Sequence, residues 1–103
     1  MTSNWSALAD KLNAATGPDA ALDAIIADVF GVNFGRYTES IEHCRQLVAK
    51  VLPGWRLHVG FDGSGVSSYA SVSNGENRVE ATAPTLPLAI LRALGELARL
   101  NNE

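Results

Sequence analysis

This sequence predicts an α+β fold in which helices pack on a three-stranded antiparallel meander, and three observations predict it. Between Leu52 and Phe61, Pro53-Gly54 stops one element, and Trp55, Leu57, Val59 and Phe61 then alternate with Arg56, His58 and Gly60, the period of a strand with one apolar face. The connections that follow, Asp62-Gly63-Ser64-Gly65 and Asn74-Gly75, are short turn clusters, so neighbouring strands run antiparallel. Flanking segments repeat apolar residues at helical spacing and so can cover a sheet face that bulky. The chain of 103 residues forms one domain: a helical hairpin over 1–31, a helix over 38–52, the sheet over 55–82 and a C-terminal helix over 84–100.

Ser3 or Asn4 caps the first helix, with Trp5, Leu8, Ala9 and Leu12 on a single face. Gly17, Pro18 and Asp19 separate it from a second helix, whose stripe is Leu22, Ile25, Ile26, Val29 and Phe30, with Asp23 and Asp28 set away from it. Gly31 ends that helix. Thr38 caps the third, with Glu39 and Glu42 near its first turn and Ile41, Cys44, Val48 and Val51 on its apolar side. In the second strand Val66, Ser68, Ala70 and Val72 share one side, while Ser67, Tyr69, Ser71 and Ser73 share the other. Asn74-Gly75 signals a tight hairpin, because both residues tolerate positive φ. The third strand puts Val79 and Ala81 on one side and Arg78 and Glu80 on the other. Thr82 or Thr85 caps the last helix, and both prolines fall in or near its first turn, where a missing N–H matters least. Leu86, Ile90, Leu91, Leu94, Leu97 and Ala98 form its stripe, Arg92, Glu96 and Arg99 occupy its remaining surface, and Asn101-Asn102-Glu103 frays.

Composition narrows the function classes. With 47% hydrophobic and 18% charged residues, the chain can build a core without metal or disulfide, and a single cysteine permits no intrachain bridge. A net charge of −3 argues against a general nucleic-acid binder, whose affinity rests on Lys and Arg meeting phosphates. No basic leader and no apolar run of membrane-spanning length is present, so the expected location is the cytoplasm of a bacterial cell, away from membranes.

Four stretches, in order, carry a resemblance: Ala14-Ala15-Thr16-Gly17-Pro18, Tyr37-Thr38-Glu39-Ser40-Ile41, Pro53-Gly54-Trp55-Arg56, and Ala83-Pro84-Thr85-Leu86-Pro87-Leu88 with Leu91-Arg92-Ala93. Together they resemble the phage ABA sandwich domain, a family of small bacteriophage and prophage proteins. Glu42 stands where that family usually has Asp, and Pro87 falls in a usually Ala/Leu-rich helix start. The resemblance implies a phage or prophage accessory protein with an α/β/α sandwich-like arrangement, helices covering both faces of the sheet. It supplies no catalytic residues.

The candidate chemistry is sparse. His43, Cys44 and His58 are the whole Cys/His set, and a zinc site asks for about four converging ligands. The expectation is therefore that Cys44 is core, His43 is solvated and His58 lies on the outer strand face, with no metal and no cofactor. Asp62-Gly63-Ser64-Gly65 stands between strands rather than opening a helix, which makes it a hairpin loop and not a phosphate cradle. The outer sheet face gathers Arg56, His58, Tyr69 and Arg78, the candidate binding residues, together with Ser67, Ser71, Ser73 and Glu80. The expected function is non-enzymatic protein–protein binding, against a host defence or regulatory factor, with a homodimer as one arrangement. The alternatives are a nucleic-acid-binding module using Arg56, Tyr69 and Arg78, and a small-ligand or nucleotide-binding protein acting near Asp62, His58 and Glu80.

Overall fold

The computed structural model describes residues 3–61, 63 and 67–101, and at 3–6 and 98–101 the backbone alone. Expectations about the side chains of Trp5, Ala98 and Arg99, and about Asp62, Ser64, Gly65, Val66, Asn102 and Glu103, lie outside what is described. The elements follow the predicted order: α1 (Ser3–Ala14), α2 (Ala20–Phe30), α3 (Ile41–Val51), β1 (Arg56–Phe61), β2 (Ser68–Ser73), β3 (Arg78–Ala83) and α4 (Leu86–Asn101). The strands form one antiparallel sheet in the order β1-β2-β3. The fold is α+β, with helices packed on the sheet.

The layering follows from side-chain size. On the helix side of the sheet stand Ala70, Val72, Ala81 and Ala83, small residues that let a helix approach closely. Helix α4 lies there, against β3 and β2, and reaches little of β1. Its Leu88, Ile90, Leu91 and Leu94 are fully buried, and each such side chain contributes roughly 1.5–3 kcal/mol of transfer free energy. Helix α1 packs behind α4 through Leu8 and Leu12, α2 packs on α1, and α3 packs on α4. The helical hairpin therefore stands behind α4, and no described helix covers the other face of the sheet. This corrects the expectation of helices on both faces. The cause is polarity: Arg56, His58, Arg78, Glu80 and Thr82 occupy that face and are exposed, and burying them without partners would cost several kcal/mol.

The ribbon beginning at Trp55 is a strand, and Trp55, Leu57, Val59 and Phe61 do share its helix side. Burial fades along it, however. Trp55 and Leu57 pack against the core, whereas Val59 is 36% and Phe61 63% exposed. The alternation predicts the shared face but not its coverage, because α4 crosses the two other strands.

Local chemistry fixes the ends. Asp19 caps α2 by accepting from the Leu22 N–H at 3.1 Å. Ser40, not Thr38, caps α3, its hydroxyl accepting from the His43 N–H at 3.2 Å. Thr38 is buried instead and latches the α2–α3 connection to α2. Its N–H donates to Asp23 Oδ1 at 2.7 Å, and its Oγ1 accepts from the Asp19 N–H at 2.8 Å. Asp23 is thus buried on α2 rather than set on its surface, and its charge is met by a backbone donor near the helix's positive end. Leu52-Pro53-Gly54-Trp55 closes with a Trp55 N–H to Leu52 carbonyl bond of 3.1 Å, and Gly54 has φ +85, the conformation a type II turn requires at its third residue. In the β2–β3 connection Ser73 pairs with Arg78, and the Asn74 N–H donates to the Asn77 carbonyl at 3.1 Å, closing a tight turn. Within it Asn74 Oδ1 accepts from the N–H groups of Glu76 and Asn77, and positive φ falls on Gly75, not on Asn74. Thr85 caps α4 through the Leu88 N–H at 3.4 Å, which puts Pro87 in the first turn as predicted.

Arg92, assigned from sequence to the outer side of the last helix, is half-buried. Its Nε donates to the Leu12 carbonyl at 2.9 Å, and its Nη2 to those of Asn13 and Ala15 at 3.0 Å. Its Nη1 reaches the Thr82 carbonyl at 2.9 Å. One guanidinium on α4 therefore satisfies the open carbonyls at the end of α1 and ties that end to β3.

Candidate functional site

The open face of the sheet is built by register. Pairing sets Arg56 opposite Ser73, His58 opposite Ser71 and Gly60 opposite Tyr69; across β2, Ser73 meets Arg78, Ser71 meets Glu80 and Tyr69 meets Thr82. Because a strand alternates its side chains, these residues all project to the side away from α4. Arg56, His58, Tyr69, Ser71, Ser73, Arg78 and Glu80 line one shallow depression there. All four candidate binding residues, Arg56, His58, Tyr69 and Arg78, thus stand together on a single surface.

Within it, the side chains are arranged by size and charge. Tyr69 leans across to β1, over the place where Gly60 has no side chain: a Cβ at Gly60 would stand 2.9 Å from the tyrosine ring. Ser71, on the central strand, is sheltered between His58 and Glu80. Arg78 pairs with Glu80 on its own strand, Nη2 to Oε2 3.3 Å, with both side chains more than half exposed. Arg56 has no carboxylate partner among the described residues. The face therefore offers an open cation on β1, a neutralised pair on β3, serine hydroxyls on β2 between them, and an aromatic ring further along β2.

This arrangement presents hydrogen-bonding and charged groups on one open surface. Among the described residues, no hydrogen bond links His58, Ser71 and Glu80, although register sets both His58 and Glu80 beside the serine. Arg78 is engaged by Glu80, so its charge is partly neutralised. Of the residues proposed for a small-ligand site, His58 and Glu80 flank the depression, while Asp62 lies outside the described residues.

The remaining Cys/His residues stand elsewhere and are occupied. Cys44 is fully buried on α3, and its thiol donates to the Tyr37 carbonyl at 2.9 Å. Burial first, and Asp23 second, push that thiol up to about 12, which disfavours a nucleophilic thiolate. His43 accepts from the Arg36 N–H through Nδ1 at 2.9 Å and meets the Tyr37 ring edge-on. Among the described residues, no group of three Cys, His, Asp or Glu side chains is placed to hold a metal ion. Among them, too, no helix is long and apolar enough to cross a membrane.

Sequence reasoning found the open face because strand alternation alone assigns its residues. It did not find Asp23, Thr38 or Arg92, whose partners come from other elements. Nor did it find the exposed end of β1. No family model, curated protein or solved structure matches this chain.

Proposed function

We propose that this protein is a non-catalytic accessory protein of the phage or prophage kind that the resemblance implies, acting by binding another protein through the open face of its sheet. A host defence or regulatory factor is the class of target. The observation that supports this reading is that one sheet face, carrying Arg56, His58, Tyr69 and Arg78, is left without a helical cover among the described residues, while α4 packs on β2 and β3 from the opposite side. Exposed Arg and Tyr are residue types that contribute disproportionately to protein interfaces. With Arg56 lacking a carboxylate partner among the described residues and Arg78 balanced by Glu80, the complementary surface carries a carboxylate near Arg56 and hydrogen-bonding groups over the serines.

The test is affinity capture from bacterial lysate with the wild-type chain and with an Arg56→Glu, Tyr69→Ala variant, followed by binding measurements on the purified partner. The expected result is one protein retained by the wild type, with binding to the variant weakened at least tenfold while its melting temperature is kept. Equal capture by both chains, or capture of nucleic acid that salt removes, would overturn the reading.

A further inference from the structure

The connection between α2 and α3 is gripped at three consecutive residues by side chains of the two helices. The Arg36 N–H donates to His43 Nδ1 at 2.9 Å, the Tyr37 carbonyl accepts from the Cys44 thiol at 2.9 Å, and the Thr38 N–H donates to Asp23 Oδ1 at 2.7 Å. Two of these bonds exist in one protonation state only. A thiolate cannot donate, and an imidazole nitrogen that accepts carries no proton, so His43 is neutral with its hydrogen on Nε2. A carboxyl group, by contrast, accepts in either state, so the Thr38 N–H keeps its partner.

We infer that His43 makes this connection an acid-sensitive clasp: a proton on its Nδ1 sets donor against donor and releases the Arg36 N–H, while Thr38 stays held. Histidine side chains ordinarily change charge between pH 5 and 8. The titratable and charged groups about His43 are Arg36 and Tyr37 of the connection, whose tyrosine ring meets it edge-on, and Glu39 and Glu42, the nearest acids along its own chain. Asp23 and Cys44 hold the connection from its buried side. Among the described residues no carboxylate forms an ion pair with His43, and Glu42 is already engaged by Arg45 and Gln46. What moves is set by the remaining bonds. The Arg36 carbonyl accepts from the Glu39 and Ser40 N–H groups at 3.1 and 2.8 Å, so that side stays tied to the start of α3. The preceding stretch folds back on Tyr37, whose hydroxyl donates to the Asn33 carbonyl and whose ring would stand 3.0 Å from a Cβ at Gly35. Among the described hydrogen bonds, residues 33–35 are left with that tyrosine bond alone once His43 lets go. The stretch carrying Phe34, 65% exposed, therefore loosens while 37–40 stays in place. None of these residues lines the open face of the sheet, so the inference stands apart from the binding reading.

Heteronuclear NMR of the full chain tests it, reading the His43 tautomer together with amide exchange at Arg36 and Thr38. At pH 8 the ring is expected to carry its proton on Nε2. From pH 8 to pH 5, Arg36 exchange, corrected for its intrinsic pH dependence, should accelerate at least fivefold in step with protonation of the ring. Thr38 exchange, corrected in the same way, should change less than twofold. His43→Asn keeps an acceptor near the place of Nδ1 that does not titrate, so Arg36 exchange should lose its acid response there. An Nδ1–H tautomer at pH 8, corrected Arg36 exchange unchanged between pH 8 and pH 5, or the same acid response in His43→Asn would each overturn the proposal. So would equal acceleration at Arg36 and Thr38, because acid would then be loosening the whole fold rather than this clasp.

Discussion

Ala70 and Ser71 are consecutive in β2, and both are buried, yet for different reasons. Ala70 lies under α4, within the continuous core. Ser71 points the other way, among the side chains of its own sheet face, with His58 and Glu80 as its cross-strand neighbours. On one face burial comes from another layer of structure; on the other it comes from long side chains lying along the sheet. The helix-side face is thus constrained by volume, where a methylene matters, whereas the open face carries charge and hydroxyls that folding does not call for. Stability and recognition are expected to separate along this plane, and substitutions on either side can break the comparison.

The largest effect belongs to the packed side. Leu94→Ala removes a fully buried side chain from α4 and should cost about 3 kcal/mol, read from the shift of a urea unfolding curve with unchanged slope. A loss below about 1 kcal/mol would mean that the site collapses around the smaller residue, and that α4 is not the closely packed centre described.

Arg92→Ala comes next, at about 2 kcal/mol, because charged donors are withdrawn from four carbonyls at once. Arg92→Lys should recover less than half of that. An ammonium donates from a single atom and cannot span the end of α1 and Thr82 together. Amide exchange at the end of α1 should accelerate in both variants; unchanged exchange there would show that the hairpin is held without the clamp.

These two predictions mark how far the sequence could be read. Strand alternation and helical stripes depend on residues a few positions apart, so β1, β2 and the cores of α2 and α4 were legible, as was the open face apart from Thr82, which reads as a helix cap. The roles of Asp23 and Arg92 were not. Asp23 looks like a surface carboxylate until Thr38, 15 residues away, brings it a backbone N–H. Arg92 looks solvated until carbonyls 77 to 80 residues away converge on it. Phe61 erred in the opposite direction. Its alternation with Gly60 correctly puts it on the apolar side, but whether that side is covered depends on where α4 crosses. Short-range pattern fixes which face a residue takes; only the tertiary arrangement decides what lies against it.

A third prediction concerns pH. The Cys44 thiol is pushed from near 9 up to about 12, and the Tyr37 hydroxyl is also raised, by burial first and then by Cys44 and Asp23. Both folded-state values are raised, so both groups favour the fold in their neutral forms. That stability is complete below the unfolded thiol's range and is lost as pH climbs from about 9 toward 12. For Cys44 the slope is about 1.4 kcal/mol per pH unit within that window. Cys44→Ala should therefore be less stable than wild type at pH 7, by about 1 kcal/mol for the lost methyl-sized group and hydrogen bond, and the gap should close or reverse by pH 10. A gap that stays constant from pH 7 to 10 would mean that the thiol ionises as freely in the folded chain as in the unfolded one.

The smallest stability effect is expected on the open face, and there smallness is the point. Arg56→Ala and Arg78→Ala should each move stability by no more than about 0.5 kcal/mol, as exposed residues whose only described ion pair is solvated usually do. The two are nonetheless not equivalent. Removing Arg78 frees the Glu80 carboxylate and makes the face more negative, whereas removing Arg56 leaves the Arg78–Glu80 pair untouched. If the face recognises a carboxylate-bearing partner, both substitutions weaken binding, but Arg78→Ala should be partly restored by adding Glu80→Gln and Arg56→Ala should not. Binding affinities of the four variants, measured beside their unfolding midpoints, decide it. Rescue of both would mean that the cations act through their summed field rather than through the positions that strand register gives them, and rescue of neither would mean that each arginine meets the partner directly.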